Sequence, residues 1–154
     1  MEINTKMFDG YADKYDQWFL TNNKVFESEL KLLHACLNPL KKDKILSVGC
    51  GSGLFESALK SEYGINVEHG LEPSIDMAEI AEKRGVKVEI GDAETTQLKD
   101  EEYDIIYLNG CSTYIADLGK AYKNCYNALK KGGHLILLDV PVESAYGILY
   151  SFAN

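Results

Sequence analysis

The stretch Ile45-Leu46-Ser47-Val48-Gly49-Cys50-Gly51-Ser52-Gly53 constrains this chain most. Ile45, Leu46 and Val48 form a short apolar run bounded by turn residues, the pattern of a strand buried on both faces of a parallel sheet. Glycines at alternate positions then let the backbone turn tightly and approach a ligand. Leu54, Phe55, Ala58 and Leu59 follow at helical spacing, so the bare N–H groups of a helix start face whatever sits on the turn. A dinucleotide fingerprint needs G-x-G-x-x-G or -A. Counted from Gly49 the last position is Leu54, and from Gly51 it is Glu56, so neither fits. Glu56 also falls in the first helical turn, where its charge opposes a pyrophosphate, and no lysine follows the turn as a P-loop requires. What remains is G-x-G-x-G after an apolar strand, either a structural turn or a ligand cradle.

The rest of the chain decides between these. Its 154 residues favour one domain with a real core. A net charge of −8 disfavours a nucleic-acid backbone as partner, since that relies on clustered Lys and Arg. No apolar run approaches the length of a membrane span, and Met1-Glu2-Ile3-Asn4 does not begin a secretory signal. The expectation is a cytoplasmic protein that binds neither nucleic acid nor membrane. Cys36, Cys50, Cys111 and Cys125 are scattered and form no C-x-x-C pair, so no metal site is expected.

Aromatics Phe8, Tyr11, Tyr15, Trp18 and Phe19 recur at spacings of three and four within Met7 to Phe19, a helical stripe. It reads either as a packing face or as a lid with free hydroxyls. Thr21 to Leu37 gives a second helix, capped by Asn22 or Asn23, with Phe26, Leu30, Leu33 and Leu37 on one face. Residues 1–40 thus read as a helical cap on a core of residues 41–154. Beyond the glycine turn and its helix, strands are expected at Val67 to Leu71, Val86 to Ile90, Tyr103 to Leu108 and His134 to Val140. Helices lie between them at Ser74 to Arg84 and after Asp117, the latter stopped by Gly132-Gly133, and a last helix starts in the tail after Pro141. Strands alternating with helices predict an α/β domain: a Rossmann-like parallel sheet with helices on both faces.

In such sheets ligands bind beyond the carboxyl ends of the strands. Glu72 lies about twenty residues past the glycine turn, the offset of a ribose-binding acid. Asp92 ends the third strand, where it can accept from an adenine amino group while the Ala93 N–H donates to a ring nitrogen. Asn109 and Gly110 end the fourth strand.

Taken in order, FDGYADKYDQWF, ILSVGCGSG, GLEPSIDMAEIAEKRG, GDAE, EYDIIYLNG and ALKKGGHLIL resemble the type-11 class I S-adenosylmethionine (SAM) methyltransferases over nearly the whole chain. SAM carries no phosphate, so Glu56 is tolerable beside it. The resemblance implies a SAM site made by Gly49, Cys50, Gly51, Glu72, Pro73, Asp92, Ala93 and Asn109, with Tyr11 and Tyr15 closing over the methionine and acceptor end. It implies methyl transfer to a small-molecule acceptor; the alternative is a non-catalytic SAM-binding or interaction module. Tyr114 is placed to touch an acceptor, whereas His34, His69 and His134 read as structural, and no catalytic residue is assigned. Two departures stand out. The family carries Asp or Glu where this chain has Ser47, an acid that supports the glycine loop and the ligand's ammonium group. The sheet also lacks the last two of the family's seven strands, leaving the fifth strand at an open edge through which two copies could pair.

Overall fold

The structure, a computed structural model, describes residues 10–153; Phe8 of the aromatic stripe lies outside them. The elements run α1 (Ala12–Thr21), α2 (Asn23–Leu37), β1 (Ile45–Val48), α3 (Leu54–Tyr63), β2 (His69–Glu72), α4 (Ile75–Lys83), β3 (Lys87–Ile90), β4 (Tyr103–Asn109), α5 (Leu118–Ala128), β5 (Leu129–Leu138) and α6 (Ala145–Ala153). The strands form one sheet in the order β3-β2-β1-β4-β5, every neighbouring pair parallel. The α/β class is therefore as the sequence predicts, with five strands among the described residues. The chain winds one way from β1 to β3 and the other way from β4 to β5. The order reverses beside β1, and this opens a crevice at the carboxyl ends of the strands.

Both faces of the sheet are covered, which is why β1 and β4 read as continuous apolar runs. One face packs Ile45, Ile105 and Tyr107 against Leu30, Leu33 and Leu37 of α2 and Phe55 and Leu59 of α3. Phe19 joins α1 to this layer, its ring edge-on to Phe55 at 5.2 Å. The other face packs Leu46, Val48, Ile106 and Leu108 against Ala121, Cys125 and Ala128 of α5.

Four local expectations are corrected. Val67 is buried but precedes β2, whose pairing with β1 begins at Leu46↔His69. Val86 likewise packs on Ala81 and Cys50 before β3 begins. Asn22 does not cap α2: its Nδ2 donates instead to Trp18 O at 2.9 Å, closing the end of α1. Gly132-Gly133 does not stop α5, which ends at Ala128; both glycines lie within β5. There the register with β4 shifts between Tyr103 and Ile105. A Cβ on Gly133 would meet Lys130 O at 2.9 Å and Asp104 O at 3.0 Å, so this irregularity needs a bare backbone.

β5 lies at the sheet's edge with Leu137 exposed, and the α6 residues Tyr146, Ile148, Leu149 and Phe152 are exposed as well. No helix among the described residues is long and apolar enough to cross a membrane.

Candidate functional site

A cavity of about 160 Å3 opens at the carboxyl ends of β1 to β4. The glycine turn forms its floor. Gly49 has φ +68°, and a Cβ there would lie 2.9 Å from Cys111 Sγ, so only glycine fits without displacement. Gly49 N–H donates to Leu71 O at 2.7 Å, tying the turn to β2.

Glu72 ends β2 and is 5% exposed. Its Oε2 accepts from Gly51 N–H at 2.8 Å and its Oε1 from Ser74 N–H at 3.0 Å. The carboxylate therefore holds the glycine turn in place as well as lining the cavity. Burial raises its pKa, the Ser74 and Gly51 amides oppose that, and the nearby Glu56 charge adds to it. Asp92 closes its own turn: Oδ1 accepts from Glu94 N–H at 2.8 Å and Thr95 N–H at 2.7 Å, and Oδ2 from the Thr95 hydroxyl at 2.6 Å. Burial works against its charge, but these hydrogen bonds win and hold the carboxyl below the usual range.

Of the residues expected at the site, Tyr15, Gly49, Gly51, Glu72, Pro73, Asp92, Ala93 and Asn109 line the cavity together, with Tyr114 at the same cleft. Tyr11 and Cys50 do not. Tyr11 is 55% exposed, with Lys14 Nζ 4.8 Å from its ring centre. The Cys50 side chain turns onto β2, so close to Gly70 that a Cβ there would lie 2.6 Å from its Sγ. Cys111 does line the cleft, but burial, with the Asp139 and Glu72 charges, pushes its thiol pKa up to about 12. It stays protonated and is no nucleophile. Burial, with the Glu29 and Glu56 charges, likewise keeps the Tyr15 hydroxyl protonated.

Three further features hold the site, and each joins residues too far apart in sequence for local patterning to reveal. Asp16 of α1 accepts from Ser52 Oγ at 2.5 Å and from Arg84 Nη2 at 2.6 Å. Arg84 Nη1 also donates to Ser52 O at 2.8 Å. This triad clamps α1, and with it Tyr15, onto the glycine turn. Asn124 of α5 donates to Ala93 O at 3.0 Å and Thr96 O at 2.6 Å, fixing the loop after β3. Beneath the turn, Glu56 of α3 is buried against β1 and β4 and accepts from the Tyr107 hydroxyl at 2.5 Å.

The donor set suits SAM: bare backbone at the turn, two carboxylates at successive strand ends, and apolar walls from Leu71, Met77 and Ile115. The family model for a methyltransferase domain of type 11 matches residues 46–137. The Methanocaldococcus jannaschii protein MJ1123 is 33% identical over 144 residues, covering 94% of this chain and 66% of that protein. A Thermotoga maritima demethylmenaquinone methyltransferase is 28% identical over 155 residues, covering 96% of this chain and 67% of its own length. Among solved structures, a T. maritima SAM-dependent methyltransferase superposes with a TM-score of 0.83 at 38% identity, over 94% of this chain and 66% of that one. The chain thus spans about two thirds of the length of these relatives. The strand order, the glycine turn and its two carboxylates, and these likenesses agree: the chain belongs to the type-11 family of class I SAM-dependent methyltransferases.

Proposed function

We propose that the chain binds SAM in this cleft and supports transfer of its methyl group to a small-molecule acceptor. The observation that carries the reading is the meeting of the glycine turn, Glu72 and Asp92 around one cavity at the point where the strand order reverses. When bound, SAM supplies an electrophilic methyl group on a sulfonium, so the protein's part is proximity and orientation. Glu72 keeps acceptor capacity for ribose hydroxyls beyond its two backbone bonds, and Asp92 for the adenine amino group, with the Ala93 N–H beside it. Tyr15 and Tyr114 line the cleft, where aromatic faces and hydroxyls suit an acceptor of mixed polarity.

Calorimetric titration with SAM and S-adenosylhomocysteine tests the cofactor reading. Both ligands bind the native chain and fail to bind Glu72→Ala. Turnover against amine, phosphoethanolamine and quinol acceptors tests the transfer. Binding without turnover of any acceptor identifies a SAM-binding module instead. The open β5 edge and the exposed apolar residues of α6 support pairing of two copies. Sedimentation then shows a concentration-dependent dimer that Leu149→Glu disperses, and a monomer at all concentrations refutes it.

A further inference from the structure

Behind Gly49 is a recess of about 20 Å3, room for roughly one water-sized group. It shares Tyr15, Gly49 and Asn109 with the main cavity, and Ser47 and Glu56 line it as well. Glu56 reaches it from the first turn of α3 and is 4% exposed. Its Oε1 is occupied by Tyr107, but Oε2 has no hydrogen-bond partner of good geometry among the described residues. A buried carboxylate oxygen left bare is costly, and the cost points to a missing partner. Arg84, whose charge acts on Glu56, is committed to Asp16 and the Ser52 carbonyl.

We infer that Glu56 is the counter-charge for the α-ammonium group of the bound cofactor's amino-acid end, seated where the recess meets the cleft. This rests on the SAM reading of the cleft. Glu72 and Asp92 occupy the β2 and β3 side, so the opposite side of the cleft, at β1 and β4, is left for the amino-acid end. An ammonium brings several N–H donors. Glu56, Ser47 and Asn109 line the recess, and each carries a side-chain oxygen able to accept from the ammonium.

The geometry also accounts for Ser47. It is paired in register with Tyr107 across β1 and β4, beside the bond from Tyr107 to Glu56. An acid at position 47 would place a second buried carboxylate against Glu56, and the two could not both ionise. The small hydroxyl of Ser47 leaves that space to the helix residue, so the acid is supplied by α3 in place of β1. Burial raises the Glu56 pKa, against the pull of the Tyr107 and Ser47 hydroxyls. Arrival of an ammonium favours the carboxylate and releases whatever proton it carried.

The test compares S-adenosylhomocysteine with 5′-methylthioadenosine, which keeps the adenosine and thioether but lacks the amino-acid end. Glu56→Gln weakens S-adenosylhomocysteine binding at least tenfold and leaves methylthioadenosine within twofold. Titrations in buffers of different ionisation enthalpy show proton release with S-adenosylhomocysteine only, and none in Glu56→Gln. The double exchange Ser47→Asp with Glu56→Ser returns the acid to the strand and recovers the tenfold loss. Unchanged S-adenosylhomocysteine affinity in Glu56→Gln, or equal weakening of both ligands, overturns the assignment. Failure of the native chain to bind either ligand overturns the cofactor reading itself, and this inference with it.

Discussion

Removing Asp16 tests whether the clamp between α1 and the glycine turn holds the site together. In Asp16→Ala the Ser52 hydroxyl and the Arg84 guanidinium lose their shared acceptor. The two ion-pair side chains are 11% and 27% exposed, so neither limit of ion-pair energetics applies. Exposed pairs contribute about 0–1 kcal/mol, whereas stranding one partner of a fully buried pair costs about 3–5 kcal/mol. The remaining exposure of Arg84 places this pair between them. With the Ser52 hydroxyl left unsatisfied, a loss of about 2–3 kcal/mol follows. For a chain of this size each kcal/mol moves Tm by about 2–4 °C, so the melt monitored by circular dichroism falls by roughly 4–12 °C. The loss is local as well as global: α1 loosens, and limited proteolysis cuts within residues 12–21 before the core. A melt within about 1 °C of the native chain, with unchanged cleavage, refutes the clamp.

Four further outcomes follow from the same geometry. Gly49→Ala meets Cys111 at 2.9 Å with φ at +68°; it loses roughly 1–3 kcal/mol in denaturant melts and abolishes S-adenosylhomocysteine binding. Gly110→Ala has a similar φ of +67° with nothing within 4 Å; it costs only about 1–2 kcal/mol. The Asp92 carboxyl is held below the usual range, so its contribution is present above the unfolded pKa and lost as pH falls through the folded one. Acid melts of Asp92→Asn and the native chain therefore converge at low pH. For Glu56 the sign reverses. Burial raises its folded pKa, so the fold is favoured below the unfolded value of about 4.3 and loses stability as pH rises through the folded pKa. Glu56→Gln is accordingly more stable than the native chain at pH 7.5 by thermal melt, and the gain vanishes at about pH 4.

Much of this was legible in the sequence where one kind of residue dominates one local pattern. Ile45 to Val48 announced a buried parallel strand because helices cover both of its faces. Ser74 and Asp117 announced helix starts because their side chains accept from Met77 N–H and Lys120 N–H. The cleft followed from strand ends alone, since a parallel sheet delivers Glu72, Asp92 and Asn109 to one rim. What failed was decided by space rather than pattern. Tyr11 and Tyr15 share one aromatic stripe, yet one turn of helix swings Tyr11 to solvent while Tyr15 reaches the cavity. Gly132-Gly133 resembles a helix stop, but the close approach of the Asp104 carbonyl gives those glycines a place inside β5. Asp16, Ser52 and Arg84 carry no shared signal, because tertiary packing alone brings them together.

Glu56 has two aspects, its place in the first turn of α3 and its burial beneath the glycine turn. In the sequence, its charge in the first helical turn opposes a pyrophosphate on the turn. The structure adds that the charge points inward, beneath the turn, with one oxygen paired and one bare. A carboxylate kept only to fix the fold would lose stability and ligand affinity together when neutralised. One kept for a cationic ligand behaves oppositely: its removal relieves the empty fold and penalises the complex. Glu56→Gln therefore separates the two roles by the sign of two measurements made on one variant. A rise in Tm at pH 7.5 with a selective loss of S-adenosylhomocysteine assigns the carboxylate to the ligand; a fall in Tm with unchanged selectivity assigns it to the core.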